Sequence, residues 1–288
     1  MRLDAIEATR SPNWQDTSLH SSPCDKANAM SAQVSGLFRY PIKGLSREPL
    51  KSVTLQSGRG VCGDREFALA LPATVFDEGN PQPLSKFQFL MLARQEALAR
   101  LTTSYDAGTG LLSVTDGAQG LSADVRSAEG RATIAAFFAR FLPEDQKSSQ
   151  PRLVTAANHR FTDVGVHSSE LMQAISMLNL ASVRDLETRI GKRLDPRRFR
   201  ANILVEGLDP WVENEWLNRD LMLGTVRCKG VRPTRRCPAT EVNPDSAIRD
   251  INVPRELMRC YGHIHLGIYL SVLKGGVLRI GDTVVATC

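Results

Sequence analysis

The chain has 288 residues, of which 42% are hydrophobic and only 6% are aromatic. At about 100 to 200 residues per domain, this length predicts two domains with a substantial core. Lys and Arg (36) outnumber Asp and Glu (31), so the net charge of +5 favours anionic partners. The six cysteines are too sparse and too irregularly placed for a disulfide framework, and the absence of a Cys-x-x-Cys pair argues against a structural zinc site and a cysteine-ligated iron–sulfur cluster.

The first 30 residues differ from the rest of the chain in composition. They mix charged residues, serines and prolines without any apolar run, and we predict that residues 1–30 form a disordered extension. Patterned sequence begins just after Met30, which makes this methionine a candidate second start. No stretch approaches membrane-spanning length, and the expected location is cytoplasmic.

Short strands separated by glycine, proline and serine dominate the first half of the patterned sequence. Period-two alternation predicts strands at 34–38, 50–55, 67–71, 111–115 and 123–125. A helix is predicted over 131–141, because Ile134 and three phenylalanines recur on one face. Residues 142–151 break the periodicity, so the predicted domains are residues 31–145 and 150–287.

The second half combines brief helices with further strands. Helices are predicted near 169–179 and from an N-cap at Ser182 to a stop at Gly191. Strands are predicted at 153–155, 201–205, 221–228, 239–242, 264–273 and 277–285, with a hairpin turn at 274–276. Frequent strands with short helices favour a mainly β, α+β fold of the barrel type over alternating βαβ units.

Cys237 is the most informative residue of the chain. It lies in the segment VRPTRRCPATEVNP, and five basic residues with no acidic one occupy positions 227–236. Positive charge near a thiol favours the thiolate, which is both a nucleophile and a metal ligand. Many free cysteines are simply small buried hydrophobes, so local composition leaves a functional and a structural role open.

Two other motifs carry less weight. Gly58, Gly60 and Gly63 have the spacing of a dinucleotide-binding loop, but strand-like sequence follows them where that loop needs a helix. We therefore predict a β-turn there. His263 and His265 would lie on the same side of a strand, yet further ligands are hard to name, so a structural pair is favoured over a metal site.

Basic residues form three clusters along the chain. The first contains Arg39, Lys43, Arg47 and Lys51, the second runs from Arg189 to Arg200, and the third precedes Cys237. All three lack the interleaved aromatic residues that stack on nucleic-acid bases, so we predict no nucleic-acid partner. Clustered guanidinium groups suit a compact cofactor that carries a phosphate.

Six short motifs occur in one order along the chain. They are YPIK at 40–43, GDR at 63–65, ARQE at 93–96, NLAS at 179–182, RFRAN at 198–202 and RCPATEVNP at 236–244. In this order they resemble the MOSC family, the molybdenum cofactor sulfurase C-terminal domain proteins, preceded by the family's N-terminal β-barrel domain. The resemblance covers essentially residues 32–287.

The resemblance implies a mononuclear molybdenum centre on molybdopterin, with Cys237 as the metal's protein ligand. By motif match Lys43, Arg65 and Arg200 would contact the pterin or its phosphate. Asn202 would shape the pocket, and Asn179 lies where relatives often carry a cofactor-contacting serine. The remaining residues of the expected cofactor-binding set are Arg198, Arg235, Arg236 and Thr240.

The function implied is that of an oxidoreductase that reduces N-hydroxylated or other N-oxygenated compounds, as the family's amidoxime-reducing members do. Electrons would come from an external ferredoxin-like or cytochrome b5-like protein with its reductase. The alternatives are a sulfur-transfer protein or cofactor carrier, and a non-catalytic anion-binding module. At family level the resemblance also brings pyridoxal phosphate binding.

Two positions depart from the family pattern. Ala201 replaces a proline of the amidoxime-reducing relatives, and His265 stands where bacterial relatives often have an acidic residue. Neither change affects the expected metal ligand. Both predict a pocket whose polarity and substrate differ from those of the relatives.

Overall fold

The computed structural model describes residues 32–117 and 119–287, which contain fifteen strands and four α-helices. The predicted extension and Met30 lie outside the described residues. The strands are β1 (Gln33–Arg39), β2 (Glu48–Leu50), β3 (Ser52–Leu55), β4 (Phe67–Ala70), β5 (Thr102–Asp106), β6 (Leu111–Asp116), β7 (Gln119–Asp124), β8 (Arg152–Thr155), β9 (Ile175–Asn179), β10 (Ile203–Glu206), β11 (Asp220–Leu223), β12 (Val226–Arg235), β13 (His265–Lys274), β14 (Gly276–Arg279) and β15 (Val284–Ala286).

The helices are short and lie between strands. They are α1 (Ala128–Ala139), α2 (Ser169–Gln173), α3 (Leu180–Ile190) and α4 (Val253–Tyr261). Six further segments are 3-10 helices: Lys86–Gln88, Glu96–Arg100, Glu144–Gln146, Pro196–Phe199, Val212–Trp216 and Pro238–Glu241. This mainly β architecture with brief helices confirms the predicted fold class.

The largest sheet joins strands from both halves of the chain. Its eight strands follow the order β15-β11-β12-β13-β9-β10-β1-β2, and β9 and β10 are its one parallel pair among the described residues. Outside this sheet β3 pairs with β14 and β4 pairs with β8. Strands that precede residues 142–151 therefore share sheets with strands that follow them, while the predicted domain limits stay a prediction.

Strands β5, β6 and β7 form a local three-stranded sheet that α1 covers. Alternate residues of β6 are buried, and Leu112 and Val114 belong to the same core cluster as Ile134 and Phe138 of α1. Each such side chain contributes about 1.5–3 kcal/mol when it is fully buried. The helix predicted over 131–141 is confirmed, although it begins three residues earlier, where Ser127 caps it.

The helix predicted near 169–179 is wrong beyond its first turn. Helix α2 ends at Gln173, and the buried run from Ile175 to Asn179 forms β9. A short apolar run fits a buried strand and a buried helix equally well, so only pairing with β10 and β13 decides between them.

The N-cap predicted at Ser182 is also wrong. Helix α3 begins at Leu180, and the Asn179 side chain accepts a hydrogen bond from the Ala181 amide. Ser182 lies inside the first turn, where its hydroxyl donates to the buried Glu213 carboxylate. The helix ends at Gly191 as predicted, because this glycine adopts the left-handed conformation at φ 65°.

Several strand predictions merge or misplace elements. The segment 221–228 contains two strands, since Gly224 makes a turn at φ 55° between β11 and β12. The segment 277–285 likewise holds β14 and β15. Residues 274–276 are no hairpin turn, because β14 pairs with β3 and not with β13.

Two further segments differ from the sequence prediction. Residues 239–242, expected as a strand, lie mostly in the 3-10 helix Pro238–Glu241. Helix α4 was missed, although the sequence carries its start signal: Asn252 caps it and Pro254 follows in the first turn. The segment 58–63 forms turns without a helix, as predicted.

Candidate functional site

Cys237 lies where the chain leaves the eight-stranded sheet. Strand β12 ends at Arg235, the Arg236 amide still donates to Ile264 O across 2.8 Å, and Pro238 then opens a 3-10 helix. Proline has no amide hydrogen, so Pro238 cannot donate a further bond to the β ladder. The Thr240 hydroxyl donates to the Cys237 carbonyl at 2.9 Å, which fixes the turn and leaves the thiol half-buried.

A cavity of about 120 Å³ borders the Cys237 side chain. Besides Cys237, the predicted site residues that line it are Lys43, Arg65, Arg198, Arg200, Asn202, Arg235, Arg236 and Thr240. Residues nearly 200 positions apart in sequence therefore meet at one cavity, with five arginines and a lysine in its wall.

Asn179 is the predicted site residue that does not line this cavity. Its side chain is fully buried at the start of α3, where it donates to Asp209 O at 2.8 Å and to the Glu213 carboxylate at 2.9 Å. The amide is occupied by helix capping and by a buried carboxylate, so the structure places Asn179 in the framework and not at the cavity.

Of the three cations that the motif match assigns to the cofactor, Lys43 is the most deeply buried, with a relative exposure of 6%. Its ammonium donates to Phe161 O at 3.0 Å and pairs with Asp163. Burial lowers the pKa of Lys43, and Asp163 only partly offsets this effect. A second anion entering the cavity would stabilise the protonated amine.

Arg65 and Arg200 both pack on the Tyr40 ring, with guanidinium carbons 4.7 Å and 4.5 Å from its centroid. Burial lowers the pKa of Arg200 to about 10. Burial also opposes the charge of Arg65, but the Asp64 carboxylate at 2.6 Å outweighs it and raises the pKa of Arg65. Arg200 has no carboxylate partner among the described residues, and one of its N–H groups donates to Leu45 O.

Arg198 and Arg236 play a different part, because protein acceptors already occupy most of their donors. Arg198 donates to Glu241 O at 2.9 Å and forms an ion pair with Asp250 at 2.6 Å. Arg236 donates to Phe199 O at 2.9 Å and to Leu266 O at 2.8 Å. These two arginines hold the cavity wall together, while Arg65, Arg200 and the exposed Arg235 have more capacity for a ligand.

Several buried polar atoms of the described residues have no hydrogen-bond partner, and three of them belong to residues of this cavity. They are Thr162 Oγ1, Arg198 Nε and Thr234 Oγ1. An unsatisfied buried polar group costs about 1–3 kcal/mol. Their concentration here, next to cations, fits a polar anionic ligand that supplies acceptors and donors.

A metal at this site would need most of its ligands from a cofactor and not from the protein. Within residues 32–117 and 119–287 no group of three or more His, Cys, Asp or Glu side chains is arranged to hold a metal ion. His263 and His265 have stacked rings 5.7 Å apart. A single cysteine sulfur beside a cavity lined by cations fits a metal that is chelated by an organic cofactor.

Asp163 and Tyr269 also line the cavity, although neither is among the site residues predicted from the sequence. Desolvation opposes ionisation of Asp163, but the Lys43 and Lys86 ammonium groups lower its pKa to about 2. Burial raises the pKa of Tyr269. The alternation of β13 could have indicated Tyr269, whereas Asp163 lies in a loop without any periodic signal.

Asn202 is held in the cavity wall by hydrogen bonds to two neighbouring strands, which its sequence motif does not reveal. Its side-chain oxygen accepts from the Ser176 amide at 3.1 Å and from the Ser176 hydroxyl at 2.9 Å, and its Nδ2 donates to Phe38 O at 3.2 Å. The residue therefore joins β9, β10 and β1 beside the cavity.

Family profiles match almost the whole described chain. The MOSC N-terminal beta barrel domain matches residues 31–157, and the MOSC domain matches residues 159–285. The chain belongs to the MOSC family. This finding confirms the resemblance that the six motifs carry.

Individual relatives of this MOSC protein are more distant. Mitochondrial amidoxime reducing component 2 of Homo sapiens is 36% identical over 116 residues, which are 36% of this chain and 34% of the relative. Mitochondrial amidoxime-reducing component 1 of Mus musculus is 31% identical over 120 residues, or 38% and 35% of the two chains. The matched region thus spans about a third of these relatives.

The solved structure of the YUAD protein from Bacillus subtilis is similar to this chain. The alignment covers 88% of this chain and 94% of that protein, at 14% sequence identity and with a TM-score of 0.39.

Within the described residues no helix has both the length and the apolar character needed to cross a bilayer.

Proposed function

We propose that the cavity beside Cys237 binds a molybdenum cofactor, with the Cys237 sulfur as the metal's protein ligand, and that the loaded protein reduces N-hydroxylated compounds. The observation that carries this proposal is the half-buried thiol at a cavity shared with Lys43, Arg65 and Arg200. Membership in the MOSC family and the names of the amidoxime-reducing relatives support it.

Each residue would contribute through its own chemistry. A thiolate is a soft ligand that suits a soft, redox-active metal. The guanidinium forks of Arg65 and Arg200 match the geometry of a phosphate, and Lys43 would add a compact positive charge to the same cavity. Asp64 holds Arg65 through a 2.6 Å ion pair, so this fork is oriented before the ligand arrives.

The bound cofactor would supply the redox chemistry, and the protein would bind, orient and charge-balance it. Reducing a hydroxylamine to an amine consumes two electrons and two protons and releases one water. We propose that an external ferredoxin-like or cytochrome b5-like protein with its reductase delivers the electrons. Arg235, two residues before Cys237, is exposed and lines the cavity without a side-chain partner among the described residues.

The decisive experiment measures molybdenum per polypeptide after expression in a host that makes the cofactor. We expect the wild type to carry molybdenum and Cys237→Ser to lose at least about 90% of it, because a hydroxyl is a much poorer ligand than a thiolate. Cys62→Ser is the matched control, since Cys62 is exposed and does not line the cavity. Equal metal content in all three proteins would overturn the assignment of Cys237.

The same preparations test the reaction. Metal-loaded wild type should convert an N-hydroxylated base to the amine with an artificial reductant, and Cys237→Ser should not. Metal-replete protein that reduces no such substrate would refute the reductase. A persulfide on Cys237 in protein that retains no metal would instead favour the sulfur-transfer alternative.

A further inference from the structure

A second, larger cavity lies next to the proposed cofactor cavity. Its volume is about 700 Å³, and the two cavities share the residues Gly44, Leu92, Arg198 and Arg200. Core side chains such as Leu45, Leu98 and Val242 give it an apolar floor. Its charged lining consists of five arginines and only two aspartates, so the cavity combines an apolar surface with excess positive charge.

Three of the five arginines are neutralised by carboxylates. Arg100 pairs with Asp116 at 3.6 Å, and Arg198 pairs with Asp250 at 2.6 Å. Arg197 pairs with Asp195 and Asp245. These three arginines therefore add little unbalanced charge to the cavity.

Arg47 and Arg200 have no such partner among the described residues. Arg47 makes no side-chain hydrogen bond or ion pair there, and its guanidinium lies 3.8 Å from the centroid of the Phe38 ring. Arg200 donates to Leu45 O and packs on Tyr40. Burial lowers the pKa of both groups. Asp195 favours the charge of Arg47 and Asp163 that of Arg200 without forming an ion pair, and a bound anion in direct contact would offset the remaining cost of burial.

We infer that this second cavity binds an organic anion, whose carboxylate or phosphate pairs with Arg47 and Arg200 while its apolar body covers the floor. Two sources share this chemistry. The anion is either a separate small molecule or a nucleotide extension on the terminal phosphate of the bound cofactor. The first source does not depend on molybdenum, because Arg47 does not line the cofactor cavity; the second rests on the proposed function.

Calorimetric titration of the purified full chain with adenosine 5′-monophosphate and with benzoate tests the site. We expect at least one probe to bind the wild type and to bind Arg47→Gln about tenfold more weakly, as the loss of a charge-assisted pair predicts. Arg255→Gln should bind like the wild type, since Arg255 is exposed and its side chain has no partner among the described residues. Arg47→Lys, which keeps the charge without the fork, should fall between the two.

Acid denaturation of the same proteins followed by chromatography separates the two sources. A nucleoside monophosphate released from wild type but reduced in Arg47→Gln supports the cofactor extension. Probe binding by protein that releases no nucleotide supports a separate ligand. If no probe binds and no nucleotide is released, or if wild type and Arg47→Gln bind the probes equally, the anion site is refuted. Neither result affects the molybdenum measurement on Cys237.

Discussion

The two ends of strand β12 carry cysteines in opposite environments. Cys228, near the start of the strand, is fully buried, and burial raises the pKa of its thiol to about 12. Cys237, just beyond the other end, is half-buried and borders a cavity rich in cations. The contrast shows that a cysteine's chemistry here is set by where the strand passes and not by the residue type.

The strand itself produces this difference. Near its start it pairs in regular register with β11, and Cys228 belongs to the same apolar core cluster as Leu221 and Val272. The pairing with β13 shifts register at Arg227/Cys228, at Gly230/Arg232 and at Pro233/Arg235, and the last two shifts lie between Cys228 and the cavity end of the strand. Such bulges bend a strand and re-aim its side chains. The last residues thereby leave the core and reach the cavity.

The largest expected effect is a difference in thiol reactivity. In native metal-free protein at pH 8, iodoacetamide should modify Cys237 at least about 1000-fold faster than Cys228, because a buried thiol that is hardly ionised does not react. Peptide mapping by mass spectrometry measures both rates and separates them from Cys62 and Cys260. Comparable rates at Cys228 and Cys237 would remove the contrast between the two ends.

Asp64 is buried and forms ion pairs with Arg65, which lines the cavity, and with Arg160. Burial alone would raise the pKa of Asp64, but the Arg65 and Arg160 guanidiniums and the Tyr40 amide outweigh it and lower the pKa. We expect Asp64→Asn to cost about 3 kcal/mol of unfolding free energy, since two buried cations lose their counter-ion. Urea unfolding at pH 7 measures the loss.

The Asp64 carboxylate also makes the stability of the fold depend on pH in the acid range. The folded pKa is below the ordinary value of 3.8, so the stabilisation is complete above that value and is lost as the pH falls through the folded pKa. Between pH 4 and pH 2 the wild type should therefore lose stability more steeply than Asp64→Asn. Asp209→Asn, an exposed carboxylate without side-chain hydrogen bonds in the described chain, should follow the wild type.

Gly230 tests the packing of the core part of β12. A Cβ atom there would lie 2.0 Å from the Trp216 carbonyl oxygen, so Gly230→Ala forces backbone apart and should cost about 2 kcal/mol. Arg235→Gln, at the exposed end of the same strand, should change stability by less than about 0.5 kcal/mol. Chemical denaturation measures the unfolding free energy of both variants. Equal losses would contradict the conclusion that the Gly230 part of β12 belongs to the core and the Arg235 end does not.

The smallest expected effect concerns two threonine hydroxyls at the cavity. Thr234 Oγ1 is buried without a partner, so Thr234→Val should be neutral or stabilise the metal-free protein by up to about 1 kcal/mol. Thr240 Oγ1 donates to Cys237 O, and Thr240→Val should cost about 1 kcal/mol. Thermal unfolding distinguishes the pair, and a marked loss in Thr234→Val would mean that its hydroxyl is already satisfied.

The sequence by itself determined the strand-rich class, the helix α1 and the chemical setting of Cys237. These features are local: alternation and helical spacing report which face of a short segment is buried, and the charges around Cys237 are its neighbours in the chain. The six ordered motifs added the family, which the profile matches confirm. Asn179 shows the limit, because its motif position suggested the cofactor whereas α3 uses it as an N-cap.

Only the tertiary structure decided which residues meet. Lys43, Arg65 and Arg200 come from three separate loops, and they converge because β1 pairs with β10 and because Ile42 forms a bridge with Phe67. It also revealed Asp163 and the second cavity, and it separated the arginines that hold the wall from those open to a ligand. Periodicity cannot supply this information, since long-range strand pairing depends on the packing of the whole core and not on any one segment.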